Sequence, residues 1–357
     1  MTKPKKYYYD VSDDLAKGCW LNMIVGGRNT GKTYSTLKYA ASHGMLFAFI
    51  KRTNDDVDTI CKNSSIGGNT IDFSPFNALN RDMGWSIHPK LISKGIGGFW
   101  AFNEKEEPEG LPVGYILSLN NLRDIKGFEF HRLIDIVIFD EFIPQPWERV
   151  NRKEGQQVMD LYKTLERDRT HKGLPVLPMV MLANAVRLSN PIFNFFEVTD
   201  DFAQMQATQS EYYYPEGRQI LLHLLKASED FLDKERSSPV YAAMKGTDWG
   251  AMAYGNSFGY DDLSTIGKIS LKGCRPVVGI QYRSNTFYVY MKDGEYQVTK
   301  RRNDKCRVYN LNRENEQKAF FRDHIFDLRE ARIDDKVVFE TYSMYDLIIN
   351  YKNIFKV

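Results

Sequence analysis

One stretch of the sequence combines glycine, lysine and threonine in a spacing that can bind a phosphate. It satisfies the pattern GxxxxGK[ST], and its members are Gly26, Gly27, Arg28, Asn29, Thr30, Gly31, Lys32 and Thr33. Glycines let backbone N–H groups curl around a phosphate, the lysine reaches the β- and γ-phosphates, and the hydroxyl group after it ligates Mg²⁺. The spacing therefore predicts a site for ATP and Mg²⁺, with an ordinary glycine-rich turn as the alternative.

A pair of acids lies much further along the chain, at the end of the apolar run LIDIVIFDE. Asp140 could hold Mg²⁺ through water, opposite Thr33. Glu141 follows directly, where it could orient and deprotonate an attacking water molecule. The pair thus predicts the catalytic acids of an ATP hydrolase, although a solvated strand end would look similar.

Two further side chains could act on a bound nucleotide. Arg28 lies inside the glycine-rich motif, where its guanidinium could contact the γ-phosphate in its own subunit; a purely structural role is equally open. Asn184 ends the run VMLAN and could hydrogen-bond the γ-phosphate or the attacking water. The alternative for Asn184 is an amide that caps the next turn.

A predicted helix over residues 155–170 offers a third candidate. Its apolar positions recur at helical spacing, and Leu165 belongs to the core-facing stripe. Arg169, four residues later, shares that face, whereas Arg167 points away from it. Arg167 is therefore predicted to be an arginine finger that enters a neighbouring subunit's site, or else a surface arginine paired with an acid.

The elements around these motifs predict an α/β fold. Short apolar runs read as buried parallel strands, at residues 21–25, 46–52, 133–141 and 176–185. Strands that alternate with helices indicate a doubly wound, mostly parallel sheet. FWAFN and VGYILSL predict an antiparallel hairpin inserted into it. Because LFAFI lies between the two motifs in sequence, we expect an additional strand between the glycine-loop strand and the acidic strand, which is typical of motor ATPases.

Length and composition suggest more than one domain. The chain has 357 residues, and domains average about 150. We expect an ATPase domain over 1–203, a helical linker or subdomain over 204–265, and a C-terminal domain over 266–357 that begins with a three-strand meander. Single cysteines and unpaired histidines predict no metal cluster, and no apolar run approaches the roughly 18 residues of a membrane span. We therefore expect a protein that is neither secreted nor inserted in a membrane.

Positive charge is local rather than global, because 48 Lys and Arg balance 46 Asp and Glu. The loop at 122–132 carries Arg123, Lys126 and Arg132 and could face a central channel. Residues 268–307 hold ten basic residues against three acidic ones and are interleaved with aromatic side chains: Tyr282, Phe287, Tyr288, Tyr290 and Tyr296. Such a stripe suits a nucleic-acid backbone, although a solvated sheet edge remains open.

Taken in order, these segments resemble the genome-packaging ATPases of small tailed bacteriophages with protein-primed DNA, compact relatives of the large terminase subunit. The resemblance rests on GGRNTGKT, FAFIKR, IVIFDEFI, TLERDRT, LANAV and NPIFNFFEV. It implies a P-loop ATPase of the additional-strand, catalytic-glutamate type. It also implies a ring, usually a pentamer, that docks on the portal of an empty capsid in the host cytoplasm and drives double-stranded DNA inward. A structural packaging RNA is a further candidate partner.

The resemblance also assigns roles to residues. Lys32 and Thr33 would hold nucleotide and Mg²⁺, Asp140 and Glu141 would be the magnesium and catalytic acids, and Arg167 would act in the neighbouring subunit. Lys51 and Arg52 match a basic pair that faces DNA or a neighbour.

Large terminases add a ribonuclease H-like nuclease whose first strand presents a metal-binding aspartate. The similar strand here, VVGIQYR, offers Gln281 at about that place, and a neutral amide is a poor ligand for a two-metal site. Asp323, Asp334 and Asp335 follow downstream without forming an evident set. We expect a vestigial α+β domain that binds DNA, RNA or the portal. The alternatives are an active packaging nuclease and a P-loop regulator that does not translocate.

Overall fold

The computed structural model describes residues 8–66, 69–148, 151–254, 257–258, 261 and 263–355. The chain divides into two compact units, Met1–Tyr260 and Asp261–Val357. The charged start of the chain, residues 1–7, lies outside the described residues.

The strands, in chain order, are β1 (Leu21–Gly26), β2 (Phe47–Lys51), β3 (Asn63–Ile66), β4 (Asn69–Asp72), β5 (Ile87–Ser93), β6 (Ile96–Phe102), β7 (Pro108–Ser118), β8 (Ile136–Asp140), β9 (Met179–Asn184), β10 (Tyr212–Tyr213), β11 (Ile220–Leu225), β12 (Arg275–Tyr282), β13 (Asn285–Lys292), β14 (Glu295–Thr299), β15 (Val308–Asn310) and β16 (Val337–Phe339).

The α-helices are α1 (Ser12–Leu15), α2 (Lys32–Ser42), α3 (Asn54–Cys61), α4 (Asn77–Met83), α5 (Leu122–Gly127), α6 (Glu154–Glu166), α7 (Pro191–Phe196), α8 (Thr199–Thr208), α9 (Glu229–Arg236), α10 (Pro239–Met244), α11 (Asp248–Tyr254), α12 (Glu314–Phe320), α13 (Phe326–Ile333), α14 (Tyr342–Ile349) and α15 (Tyr351–Phe355). A 3₁₀ turn covers Leu119–Asn121, and a π-helical turn covers Phe321–Ile325.

The first unit is built on a nine-stranded sheet in the order β10-β11-β1-β9-β8-β2-β7-β6-β5. Strands β11, β1, β9, β8, β2 and β7 run parallel, and antiparallel strands lie at both edges. Every residue of β1 is buried, as expected for a strand covered on both faces by helices. The predicted mixed α/β fold with a mostly parallel sheet is confirmed, and so is the hairpin, formed by β6 and β7.

An additional strand does separate the glycine-loop strand from the acidic strand, but it comes from a different part of the chain. It is β9, which pairs with β1 on one side and with β8 on the other. The LFAFI strand, β2, instead lies beyond β8, between β8 and β7. Position between two motifs in sequence was a wrong guide to position in the sheet, because each crossover in a doubly wound sheet can place its strand on either side.

Residues 204–265 contain strands as well as helices. The run ILLHLL forms β11, which is buried throughout and pairs in parallel with β1. The prediction of helical structure is wrong for this run, because a short apolar run has the same appearance in a buried strand and in a buried helix. Strands β10 and β11 therefore belong to the sheet that carries the glycine-rich loop.

The second unit contains a five-stranded sheet in the order β15-β12-β13-β14-β16. The predicted meander is confirmed as β12, β13 and β14, which pair antiparallel. Strands β15 and β16 join its two edges in parallel. Its core is apolar and includes Val278, Phe287, Val298, Phe320 and Phe339.

Candidate active site

The glycine-rich loop joins β1 to α2 in a tight turn. Gly31 has a φ of 87°, a left-handed conformation that glycine adopts without strain. The backbone at Gly27 lies close to the backbone of Ala253, since a Cβ atom placed on Gly27 would lie 2.6 Å from the Ala253 carbonyl oxygen. Helix α2 begins at Lys32, so its unpaired N–H groups and the positive end of its dipole face the loop. The backbone is thus shaped to receive an anion.

The Lys32 ammonium group is buried under this loop. Its Nζ donates to the carbonyl oxygen of Gly27 at 2.6 Å and to the Thr30 hydroxyl at 3.2 Å, and 8% of the residue is exposed. Burial lowers the pKa of Lys32 to about 8; nearby Asp140 opposes this effect and Arg28 adds to it. A buried ammonium held by neutral oxygens favours an incoming anion, so the residues present fit a nucleotide phosphate.

Thr33 and Asp140 meet between α2 and the end of β8. The Thr33 hydroxyl donates to Asp140 Oδ1 at 2.9 Å. A hydroxyl group and a carboxylate at this separation are the oxygen donors that Mg²⁺ prefers. Thr33 and Asp140 are therefore placed together as the sequence predicted for a magnesium site, and their role as its ligands stays a prediction.

Glu141 follows with a φ of 56°, an uncommon conformation for a residue other than glycine that often marks functional positions. Its Oε2 pairs with Lys51 Nζ at 2.7 Å, and the same ammonium lies 3.2 Å from Asp140 Oδ2. The positive charge of Lys51 lowers the pKa of Glu141. Burial alone would lower the pKa of Lys51, but the two carboxylates outweigh it and raise that pKa. Lys51 therefore clamps both acids in this structure.

Arg52 ties the acidic strand to the helix behind it. Its Nε donates to Glu154 Oε1 at 2.6 Å and its Nη1 to Glu148 Oε2 at 2.9 Å. Its Nη2 donates to the carbonyl oxygens of Glu141 and Phe142. The resemblance placed Arg52 facing DNA or a neighbour, yet within the chain its guanidinium spans acids and backbone of its own subunit. Arg52 thereby fixes the backbone on which Glu141 sits.

This network predicts a large stability effect. Arg52→Met leaves the buried carboxylate of Glu154, which is 1% exposed, without its counter-charge. We expect the free energy of unfolding to fall by about 3–5 kcal/mol, measured by urea denaturation. The double variant Arg52→Met, Glu154→Leu should recover much of that loss, and equal losses in the single and double variants would contradict this account.

Asn184 ends β9 beside the glycine-rich loop. Its Oδ1 accepts a long hydrogen bond, 3.4 Å, from Lys32 Nζ. Its position between the ends of β1 and β8 follows from the sheet order and brings it next to the residues predicted to bind phosphate. Among the residues that the structure describes, the Asn184 side chain makes no hydrogen bond to the following turn, and its role on a γ-phosphate or water stays a prediction.

Arg28 projects from the same loop. Its backbone N–H donates to the carbonyl oxygen of Ala253 at 3.2 Å, and its guanidinium lies 5.9 Å from the centre of the Trp249 ring. Within the described part of the chain, its buried Nε has no hydrogen-bond partner. A buried donor without a partner is costly, so this atom is one that an anionic ligand could satisfy.

Arg167 does not continue the helix from which its direction was inferred. Helix α6 ends at Glu166, and Arg167 follows as a left-handed cap with a φ of 36°. Its Nη2 donates to the carbonyl oxygen of Phe128, and its guanidinium lies 5.3 Å from the centre of the Phe130 ring. The inference about Arg169 holds, since it is buried and donates to the Ile134 carbonyl oxygen at 2.6 Å. Within its own chain Arg167 therefore rests on the basic loop at 122–132.

The second unit carries most of its positive charge on the surface. Of the ten basic residues between 268 and 307, all but Arg283 are exposed. Phe287, Tyr288 and Tyr290 are buried, so these aromatic rings pack in the protein and are not free to stack on bases. Basic and aromatic residues interleave in sequence because the buried aromatic residues lie within β13, whereas most of the basic residues lie in loops or at strand ends.

The acids considered for a nuclease pair with neighbouring side chains of the second unit. Gln281 lies near the end of β12, and Asp323 accepts from the Tyr309 hydroxyl at 3.0 Å and pairs with Arg322. Asp334 and Asp335 pair with basic neighbours after α13. Among residues that the structure describes, no group of three or more His, Cys, Asp or Glu could hold a metal ion.

Sequence comparison decides the family. A family model described as podovirus DNA encapsidation protein (Gp16) matches residues 109–327, more than half of the chain. The chain belongs to this family. It is therefore a phage DNA packaging protein. The matched segment contains Asp140, Glu141, Arg167 and Asn184, and the glycine-rich loop precedes it.

Individual relatives agree with this assignment. The DNA packaging protein of Bacillus phage B103 is 25% identical over 279 residues, which cover 76% of this chain and 74% of the relative. That of Bacillus phage phi29 is 23% identical over 295 residues, covering 80% and 76%. The solved structure of the Phi-28 gp11 DNA packaging motor aligns with 98% of each chain at a TM-score of 0.58 and 16% identity. That likeness shows a shared fold.

In the described residues of this family member, no helix is both long and apolar enough to cross a membrane.

Proposed function

We propose that this DNA encapsidation protein is an ATP-driven motor that translocates double-stranded viral DNA into a preformed capsid. One observation carries the proposal: Lys32, Thr33, Asp140 and Glu141 converge at the carboxyl edge of the sheet in a member of a DNA encapsidation family. Carboxyl edges of parallel strands are where α/β proteins bind ligands. The combination of this site with that family favours a motor over a P-loop regulator.

Each residue has a task in this mechanism. The glycine-rich loop and Lys32 would bind the β- and γ-phosphates, and Thr33 with Asp140 would hold Mg²⁺, which would supply positive charge to neutralise the phosphate oxygens. Glu141 orients the attacking water and accepts its proton. The ion pair with Lys51 lowers the pKa of Glu141 and so weakens this carboxylate as a base. The Lys51 side chain must therefore move away before Glu141 can accept a proton from the water. Arg28 and Asn184 assist at the γ-phosphate.

The strand order supports placing the ATPase among additional-strand, catalytic-glutamate P-loop proteins. Strand β9 separates β1 from β8, and Glu141 directly follows the acid at the end of β8. Both features are typical of motor ATPases, the class that the sequence resembles, and not of P-loop kinases.

We further propose that the subunits form a ring, a pentamer, docked on the portal of the procapsid in the host cytoplasm, with a structural packaging RNA as an additional partner. Arg167 would then leave its contact with Phe128 and complete the site of the adjacent subunit. The second unit would be a vestigial ribonuclease H-like domain that binds DNA, RNA or the portal through its exposed basic residues. Manganese-dependent nicking of plasmid DNA by the full chain would contradict the loss of nuclease activity.

The lowered pKa of Lys32 predicts that nucleotide binding takes up a proton. The free protein holds the pKa of Lys32 at about 8, and an adjacent phosphate raises it because opposite charge favours the protonated form. ATP affinity should therefore be highest below about pH 8 and fall as the pH rises through that value. Lys51 adds no uptake there, since its pKa is raised.

Calorimetric titration of Mg-ATP at pH 8 in two buffers of different ionisation enthalpy measures this uptake directly. Lys32→Ala should lose ATP binding. Lys38→Ala, on the far part of α2, is the matched control and should bind like the wild type. Equal heats in both buffers would contradict the assignment of Lys32, and absence of binding by the wild type would contradict the proposed function.

A further inference from the structure

A segment at the start of the described chain, residues 8–17, lies across the glycine-rich loop; we call it the strap. The backbone N–H of Tyr9 donates to the carbonyl oxygen of Thr30 at 3.0 Å, and the backbone N–H of Val11 donates to the Ser35 hydroxyl on α2 at 2.9 Å. A Cβ atom placed on Gly31 would lie 3.2 Å from that of Tyr8. The strap thus contacts both the loop and the helix that follows it.

The strap is anchored by a buried ionic pair. Asp14, on α1, is fully buried, and His223, on β11, is 2% exposed. His223 Nδ1 lies 2.6 Å from Asp14 Oδ2, and its Nε2 lies 3.4 Å from Glu211 Oε1. The Lys17 ammonium pairs with the other Asp14 oxygen at 2.8 Å. These contacts join the strap to the strand that borders β1.

The protonation of His223 fits this anchoring role. Both ring nitrogens face carboxylates, and only the imidazolium form can donate to both. Burial by itself would lower the pKa of His223, but the hydrogen bonds to Asp14 and Glu211 outweigh it and raise that pKa. Burial would likewise raise the pKa of Asp14, yet the contacts with His223 and Lys17 lower it.

Hydrogen bonds linked through Tyr9 and Thr30 lead from this pair to the predicted phosphate-binding lysine. The Tyr9 hydroxyl donates to Asp14 Oδ2 at 2.8 Å, and the Tyr9 backbone holds Thr30. The Thr30 hydroxyl accepts from Lys32 Nζ at 3.2 Å and donates to the Gly27 carbonyl oxygen. A buried charge pair need not add to the stability of the fold. This pair instead holds the strap in place, and the strap contacts the glycine-rich loop.

We infer that Asp14 and His223 are positioning residues for the glycine-rich loop, acting through the strap and Tyr9. Removing the anchor frees the strap, so Thr30 and Lys32 lose their fixed arrangement before nucleotide arrives. Loss of this arrangement should weaken binding of the nucleotide phosphate in the ground state. It should not change how the attacking water is activated. This inference rests on the proposed function in so far as the ligand of the loop is ATP.

Tyr9→Phe tests it with least disturbance, since only the hydroxyl group that links Tyr9 to Asp14 is removed. In the full chain without nucleotide, we expect hydrogen exchange at the amides of residues 27–33 to speed up by about three- to tenfold, the value of one hydrogen bond. The KM for ATP should rise by about the same factor, with kcat unchanged. His223→Gln, which also removes the charge, should have a larger effect on both.

Tyr162→Phe is the matched control, because its buried hydroxyl group donates to the Leu177 carbonyl oxygen at 2.8 Å, away from the loop. It should leave both the exchange at 27–33 and the KM unchanged. Exchange and KM at wild-type values in Tyr9→Phe would overturn the inference, whether or not His223→Gln folds. If the wild type hydrolyses no ATP, the proposed function fails, while the exchange measurement still decides whether the strap positions the loop.

Discussion

Glu141→Gln is expected to reduce the kcat of ATP hydrolysis severely while leaving ATP binding intact. Glutamine has the size of glutamate but cannot accept a proton from water, so the loss should be about 10²- to 10⁴-fold in kcat, the usual contribution of a general base. Binding should persist because Lys32, Thr33 and Asp140 are unchanged. Steady-state hydrolysis and calorimetric binding, measured on the same preparation, separate the two effects.

Glu148→Gln provides the control for this substitution. Glu148 is an exposed carboxylate in the loop that follows, and it pairs with Arg52 rather than with Lys51. The Glu148→Gln variant should hydrolyse ATP at close to the wild-type rate. If Glu141→Gln turned over as fast as the wild type, the water would have to be activated by another group, and the assignment of the acidic pair would be wrong.

Arg167→Ala is expected to reduce DNA-stimulated hydrolysis by about 10³-fold or more, as arginine fingers do when removed. The reason is that the guanidinium would stabilise charge on the transferring phosphate in the adjacent subunit. Lys172→Ala, an exposed basic residue just beyond α6, serves as the control. Turnover is measured at a protein concentration that supports assembly on DNA.

A mixing experiment separates a finger from a structural arginine. Arg167 contacts Phe128 and Phe130 in its own chain, so its loss could act by disturbing that loop alone. Arg167→Ala subunits keep Glu141, and Glu141→Gln subunits keep Arg167. If the arginine acts across the interface, a mixture of the two inactive variants regains hydrolysis; a mixture that stays inactive would favour the structural role.

The apolar runs and the motifs that follow them were enough to predict which strands carry the candidate site. Carboxyl ends of parallel strands meet at one edge of a sheet, so a strand ending at the glycine-rich loop and another ending at Asp140 could be expected to bring Thr33 and Asp140 together. Their hydrogen bond of 2.9 Å agrees with that expectation. The chemical roles of these residues remain predictions.

Features that depend on sheet order were beyond reach of the sequence. The strand between β1 and β8 is β9 rather than β2, and this order places Asn184 beside Lys32 and Lys51 beyond Asp140. The residues of β11 do not reveal a strand by their pattern, so the contact of His223 with Asp14 could not be predicted from the sequence. The spacing of apolar residues along the chain does not indicate which strands become neighbours in the sheet, because strand order depends on long-range packing.

Helical spacing also failed where the helix ended early. The direction of Arg167 was inferred from a helix through residue 170, whereas α6 ends at Glu166. A left-handed cap at Arg167 turns the chain and brings the guanidinium onto the Phe130 ring. Helix ends are set by local capping and tertiary contacts, which a periodic pattern does not contain.

The most direct test of the motor is steady-state ATP hydrolysis by the purified chain across protein concentration, with and without double-stranded DNA and with empty procapsids as the final addition. A motor whose sites are completed by neighbouring subunits should show a rate per subunit that rises cooperatively with concentration and rises further with DNA. A rate per subunit that is indifferent to concentration, DNA and procapsids would contradict the proposed motor and favour a nucleotide-binding regulator.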